Sequence, residues 1–208
     1  MLHVGLTGGI GAGKSAVGRS LRARGAHLLD ADQLARELMA PGSEVLAEVE
    51  AAFGPDILAA DGRLDRRRLG QRVFADPAAR QRLDAILHPR INALERERAA
   101  AIAERFPHAV IVYEAPLLLE SGADDGLDRI LVVDVPEDLQ LERALARGER
   151  SADQIRSIME AQCSRGERLR RAHDVIDNSG AWAATEQQID AIMASYRELA
   201  GMGVERRR

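Results

Sequence analysis

Gly8-Gly9-Ile10-Gly11-Ala12-Gly13-Lys14-Ser15 is a complete G-x-x-x-x-G-K-S string. It follows a short apolar strand pattern, His3-Val4-Gly5-Leu6-Thr7, and opens a helical pattern over roughly residues 14–24. Strand, glycine loop and helix in that order are the context in which such a string holds phosphate. The glycines let backbone N–H groups turn inward on an anion, and the helix adds the positive end of its dipole. Lys14 is the one lysine among 29 Lys and Arg residues. A compact ammonium on a flexible stem reaches between phosphate oxygens where the planar guanidinium fork does not fit. The expectation is that Lys14 addresses the β- and γ-phosphates of a nucleoside triphosphate and the Ser15 hydroxyl binds Mg²⁺.

Working outward, His27-Leu28-Leu29 reads as a second strand ending in Asp30-Ala31-Asp32. The runs Ala109–Tyr113 and Ile130–Asp134 read as buried strands, and Asp174–Asp177 as a last short one. Residues 33–104 carry helical patterns punctuated by Pro41-Gly42, Gly54-Pro55 and Asp61-Gly62. Asp76-Pro77 is a helix start, with Asp as cap and Pro in the first helical position. Pro136 to about Arg171 is helical and arginine-rich, with a capping box at Ser151-Ala152-Asp153-Gln154. A terminal amphipathic helix follows the Asn178-Ser179-Gly180 turn, from about Ala181 to Leu199. Near-continuous apolar strands alternating with helices indicate a parallel sheet covered on both faces. The fold class expected is α/β, a P-loop NTPase-type parallel sheet flanked by helices.

Composition narrows the class further. With 208 residues, 46% hydrophobic and 30% charged, the chain suits one globular domain. No stretch approaches the ~20 apolar residues that span a bilayer, and the first residues lack the pattern of a signal peptide. A cytoplasmic setting, no membrane partner and a monomer are expected. The single cysteine, Cys163, excludes an internal disulfide or multi-cysteine metal site and reads as a free helix cysteine. A net charge of −4 gives no bulk attraction for nucleic acid. Arginines are locally dense at Arg66-Arg67-Arg68, Arg80, Arg82, Arg90, Arg96 and Arg98. Solvated helix faces account for most of them, and a pocket for a polyanionic small molecule for a few. Arg206-Arg207-Arg208 reads as a frayed tail.

The loop alone says nucleoside triphosphate without saying what is done with it. An N-K-x-D base-reading motif is impossible without a second lysine, and no L-S-G-G-Q-like stretch marks a transporter ATPase. A small-molecule kinase needs a carboxylate near the loop to address an acceptor hydroxyl. Asp30 and Asp32 sit at the carboxyl end of the second strand, where open α/β sheets bind ligands, and an extended backbone points both the same way. Asp32 is the candidate general base or orienter; Asp30 assists it or caps the next helix. Glu114 ends a strand and is a candidate for water-mediated Mg²⁺ coordination. Asp134 reads as a cap for the helix after Pro136. Arg143 and Arg147 share a helix face and suit the charge of a phosphoryl transition state. On spacing alone, a solvated face with Glu142 and Glu149 as partners is the simpler account. His88-Pro89 interrupts a helical pattern, so His88 stands at a break, either pointing into a cleft or holding structure.

Taken together, Gly5–Ser15, Asp30-Ala31-Asp32 with Ala35-Arg36, Leu87-His88-Pro89, Pro116-Leu117-Leu118-Leu119-Glu120, Gln162 and Asp177-Asn178-Ser179-Gly180 make the chain resemble the dephospho-CoA kinases over almost its whole length. The resemblance implies transfer of the ATP γ-phosphoryl group to the 3′-hydroxyl of dephospho-CoA, giving coenzyme A and ADP, with Mg²⁺. It implies one kinase domain over 1–208, with a core of about 1–32, 105–135 and 172–208. A helical CoA-binding insertion takes about 33–104 and a lid about 136–171. It makes Gly11, Ala12, Gly13, Lys14, Ser15 and Ala16 the ATP loop, joined by Arg143, Arg147 and Asn178. Asp32 becomes the base and Arg143 the lid arginine. Thr7, His88, Arg90, Leu118 and Glu120 go to the acceptor side, and Ser15 to the metal with Asp32 or Glu114 through water. Two departures stand out: Glu114 replaces the family's usual Asp, and Ala16 follows Ser15 where Thr is frequent. The alternative is a P-loop kinase of another small acceptor, such as a nucleoside monophosphate. A nucleotide-dependent switch without an acceptor leaves the P-L-L-x-E segment without a purpose.

Overall fold

The computed structural model of the chain describes residues 1–148 and 151–202. Glu149 and the Arg206-Arg207-Arg208 tail lie outside the described residues. Among those described, five strands form one parallel sheet: β1 (Leu2–Gly8), β2 (His27–Asp30), β3 (Val110–Glu114), β4 (Arg129–Asp134) and β5 (Asp174–Asp177), in the order β2-β3-β1-β4-β5. β1 is central. It pairs with β3 through Leu2↔Val110 to Leu6↔Glu114 and with β4 through Val4↔Arg129 to Gly8↔Val133. That register ends β1 at Gly8, beside the carboxyl ends of both neighbours, so the glycine loop leaves the sheet at its ligand-binding edge.

The apolar runs behave as buried parallel strands do. Every residue of β1 and β3 is buried, which requires cover on both faces. On one face, alternate residues Leu2, Val4 and Leu6 of β1, Val110 and Val112 of β3, and Leu131 and Val133 of β4 form one cluster. Val17 and Leu21 of helix α1 (Lys14–Ala23) complete it, with Ile189, Met193 and Tyr196 of a terminal helix (Trp182–Met202). The two- and three-to-four-residue spacings are those of a strand face and a helix stripe. Ile111, which points the other way, packs with Ala99, Ala109, Leu29 and Ile102.

The residues divide into two compact units, Met1–Asp30 with Arg98–Arg208, and Ala31–Glu97. The second holds α2 (Ala31–Leu38), α3 (Glu44–Phe53), a 3₁₀ turn (Pro55–Ile57), α4 (Arg66–Ala75) and most of α5 (Pro77–Arg105). Ser43 and Asp65 cap α3 and α4 by accepting from Leu46 and Arg68 N–H, and Asp76 accepts from Ala78 N–H at the start of α5. The first unit also contains α6 (Glu137–Ala146), α7 (Ala152–Ala161), α8 (Arg165–Arg171) and the terminal helix, α9. Both halves of the Ser151/Gln154 capping box are formed.

Four local expectations need correction. α5 runs unbroken through Pro89, so His88 is not at a break. Leu87 and Ile91, buried on either side of the proline, carry the helix past its lost N–H. Asp30 and Asp32 do not share a strand, because α2 begins at Ala31 and puts Asp32 in a first helical turn. Asp134 does not cap α6, whose N-cap is Pro136; a bidentate fork from Arg165 occupies its carboxylate, at 2.9 and 2.6 Å. Cys163 sits in the link between α7 and α8 rather than in a helix, where burial pushes its thiol pKa up, helped by the charges of Glu120 and Glu167.

Candidate active site

The glycine loop is a shaped cradle. Gly13, the N-cap of α1, takes φ 91°, a left-handed conformation that favours glycine. Helix geometry gives the amides of Lys14 and Ser15 no i−4 carbonyl within α1, and the first turn holds no acidic side chain to offset the positive end of the dipole. Ala16 N–H turns back to the Gly13 carbonyl at 3.0 Å. Lys14 Nζ donates to the carbonyls of Gly8 at 2.8 Å and Gly9 at 3.2 Å, folded against the loop's entry limb. Its ammonium is thus held at the loop by two main-chain carbonyls.

Ser15 Oγ donates to Glu114 Oε1 at 2.7 Å. The pair joins the start of α1 to the end of β3 and puts a hydroxyl and a nearly buried carboxylate, 6% exposed, side by side. The longer glutamate is accommodated because Gly18 leaves its path open: a Cβ there would lie 2.7 Å from Glu114 Oε2. Hard oxygen donors of this kind, few in number, suit Mg²⁺, which keeps several waters and binds through substrate phosphates rather than a protein cage. No group of three or more His, Cys, Asp or Glu among the described residues forms such a cage.

Two helices and a turn press on the loop from outside. Asn178, after β5, donates through Nδ2 to the Ala12 carbonyl at 2.8 Å and accepts from Thr185 Oγ1 at 3.0 Å. Arg143 of α6 donates to the Asn178 carbonyl at 2.8 Å. Arg147 is the exposed C-cap residue of α6. Gln140, 2% exposed, anchors to the Val135 carbonyl at 2.9 Å. A Cβ on Gly11 would lie 2.3 Å from its backbone oxygen, and one on Gly9 2.0 Å from its Oε1. These two glycines are therefore required by the approach of α6 as well as by any phosphate. Gln140 and Asn178 are held almost entirely inside the fold, with Arg168, 6% exposed, close to the Gly9 position.

Thr7 and Leu118 are 1% and 0% exposed, Leu118 filling the space that Gly5 leaves empty. Glu120 accepts from Cys163 N–H at 2.5 Å. In the other unit, Asp32 stands in the first turn of α2. His88 Nε2 lies 3.6 Å from Asp84 Oδ1 one turn back, and Arg90 donates to the Ile86 carbonyl at 2.8 Å and pairs with Glu48. Sequence reading brought Ser15, Glu114, Asn178 and Arg143 to one place and missed Gln140, Arg165 and Arg168. Gln140 was detectable: it is spaced four from Ala144, so it occupies the buried side of α6. Arg168, in a run of arginines, carries no such signal.

The dephospho-CoA kinase family model matches residues 2–184. A dephospho-CoA kinase of Cupriavidus pinatubonensis is 46% identical over 98% of this chain and 99% of its own length. A crystal structure of a Thermus thermophilus protein superposes with TM-score 0.77 at 32% identity, covering 93% of this chain and 97% of that one. The dephospho-CoA kinase of Campylobacter jejuni shares the fold with TM-score 0.71 at 24% identity over 94% and 96% of the two chains. With its phosphate loop intact and the match running nearly end to end, the chain belongs to the dephospho-CoA kinase family of ATP-dependent phosphotransferases.

Proposed function

We propose that this chain transfers the γ-phosphoryl group of ATP to the 3′-hydroxyl of dephospho-CoA, yielding coenzyme A and ADP. The observation that carries the acceptor assignment is the family match over residues 2–184, which includes the insertion as well as the loop. In this reading Gly11 to Ala16 hold the ATP phosphates and Lys14 bridges the β- and γ-phosphates. Ser15 and Glu114 would hold Mg²⁺, Ser15 directly and Glu114 through water. The ion, when bound, neutralises charge on the phosphate oxygens. Asn178 keeps the loop in shape from behind. Arg143 and Arg147 come from the 136–171 lid to meet transition-state charge.

Asp32 orients the acceptor 3′-hydroxyl and takes its proton as the new P–O bond forms and the β,γ-bridging bond breaks. Thr7, His88, Arg90, Leu118 and Glu120 serve the acceptor, as the family resemblance implies. Residues 33–104 serve as the CoA-binding insertion. Exclusion of water by the lid would suppress ATP hydrolysis. An ADP-release assay across dephospho-CoA, nucleoside monophosphates and no acceptor tests the reading. Activity with dephospho-CoA alone supports it, and activity with a monophosphate only, or equal without acceptor, refutes it. No helix of the described residues is long and apolar enough to cross a membrane.

A further inference from the structure

We propose that Gln162 is a positioning residue for phosphoryl transfer, its one amide fastening the phosphate loop to the Pro116–Glu120 segment. The inference rests on the kinase reading above. Gln162 caps the C-terminal end of α7, its main-chain N–H directed to the carbonyls of Ile158 and Met159 at 3.1 and 3.3 Å. Its side chain is thereby launched from a fixed backbone. Oε1 accepts from Ile10 N–H at 3.0 Å, and Nε2 donates to the Pro116 carbonyl at 3.4 Å. The partners dictate this amide orientation, because an N–H only donates and a carbonyl only accepts. Segments 152 and 46 residues away in sequence thus meet on a single side chain.

The rest of the α7–α8 corner grips the same segment. Cys163 N–H donates to Glu120, and Arg171 donates to the Leu119 carbonyl at 3.2 Å and pairs with Asp124 at 2.5 Å. On the loop side, Ile10 lies between Gly9 and Gly11, the two positions packed against Gln140. Gln162 therefore reaches the loop at Ile10, just past its entry limb. Reacting groups displaced by ~1 Å cost on the order of 10²-fold in rate. A bond that sets the loop limb against the P-L-L-x-E segment acts on that distance through Ile10 and Pro116.

The test compares Gln162→Leu and Gln162→Glu by steady-state kinetics, thermal melting and hydrogen exchange at the Ile10 amide. Gln162→Leu removes both bonds. It is expected to lower kcat roughly tenfold, leave the KM for ATP within about threefold, and shift the melting point by no more than about 4 °C. Gln162→Glu keeps an acceptor for Ile10 N–H but sets a carboxylate oxygen against the Pro116 carbonyl, so it too breaks the fastening and should lower kcat about as far as leucine does. A leucine or a glutamate variant with kcat within about twofold of wild type overturns the proposal. So does a loss of activity that tracks a lowered melting point. If the wild-type protein fails to phosphorylate dephospho-CoA, the functional reading falls instead. Exchange at Ile10 with ATP present then decides: at least about tenfold faster in Gln162→Leu upholds the fastening, and an unchanged rate refutes it.

Discussion

Asn178 Nδ2 lies 2.8 Å from the Ala12 carbonyl, so the turn after the last strand is fastened directly to the middle of the phosphate loop. Both groups are deeply buried, and Thr185 completes the amide's other end. The side chain is thereby committed to shaping the loop. Asn178→Ala would strand a buried carbonyl and a buried hydroxyl, a loss of about 1–3 kcal/mol. Urea denaturation measures it. Because Arg143 bonds the main-chain oxygen of Asn178, that contact is expected to survive, and the KM for ATP should rise more than kcat falls. Unchanged stability would show that the amide bond contributes nothing.

Lys14→Arg is the second prediction. Lys14 Nζ fits against two carbonyls of the loop's entry limb, and a guanidinium is both broader and less able to rotate its charge into that space. Turnover is expected to fall about 10²–10³-fold, the range seen when one preorganised transition-state donor is removed. Single-turnover phosphoryl transfer checks it. A variant within tenfold of wild type would mean that the charge alone matters.

The phosphate loop, the parallel sheet and several helix starts were legible because they depend on local chemistry: glycines at tight turns, apolar runs with a strand period, caps such as Ser151. What stayed illegible depends on burial by the rest of the fold or on residues far apart in sequence. Pro89 looks like a breaker until Leu87 and Ile91 are seen buried on both sides of it. Asp134 looks like a cap until Arg165, thirty-one residues later, takes its carboxylate. Likewise Gln162 was only a motif letter until Ile10 and Pro116 met on it. Long-range polar pairs leave no periodicity to read.

A third prediction concerns the metal. Glu114→Gln retains an oxygen for Ser15 Oγ but removes the charge beside it. Half-saturating Mg²⁺ should rise about tenfold or more, the lower end of what losing an outer-shell partner costs, while ATP affinity without metal stays near wild type. Gly18→Ala should mimic it in milder form, since the new methyl displaces Glu114 Oε2. Mg²⁺ titrations of initial rate provide the measurement. An alanine variant with wild-type Mg²⁺ dependence would show that the carboxylate finds another rotamer at no cost to the metal.

The last prediction is one of stability against pH, from a network away from the loop. Asp174 of β5 accepts from Arg129 at 2.7 and 3.0 Å and from the Tyr196 hydroxyl at 2.7 Å. Burial alone would raise the Asp174 carboxyl, but the bonds from Arg129 and Tyr196 outweigh it and hold its pKa below the ordinary range. Burial, with Asp174 as acceptor, pushes the Tyr196 phenol far upward. A depressed carboxyl contributes stability that is full above its unfolded pKa, roughly 3.9, and is lost as pH falls through the folded value. A raised phenol contributes stability that is full below roughly pH 10 and is lost as pH climbs beyond it. Asp174→Asn should therefore be destabilising at neutral pH and draw level with wild type only in acid. Tyr196→Phe should cost about 1 kcal/mol at neutral pH and lose the tyrosine's share of the alkaline decline. Denaturant midpoints measured across the pH range decide the matter. If the Tyr196→Phe and wild-type curves run parallel above pH ~10, the phenol is not coupled to folding, and the apolar stripe of α9 with the Gln188–Asp177 bonds holds the helix on the sheet without it.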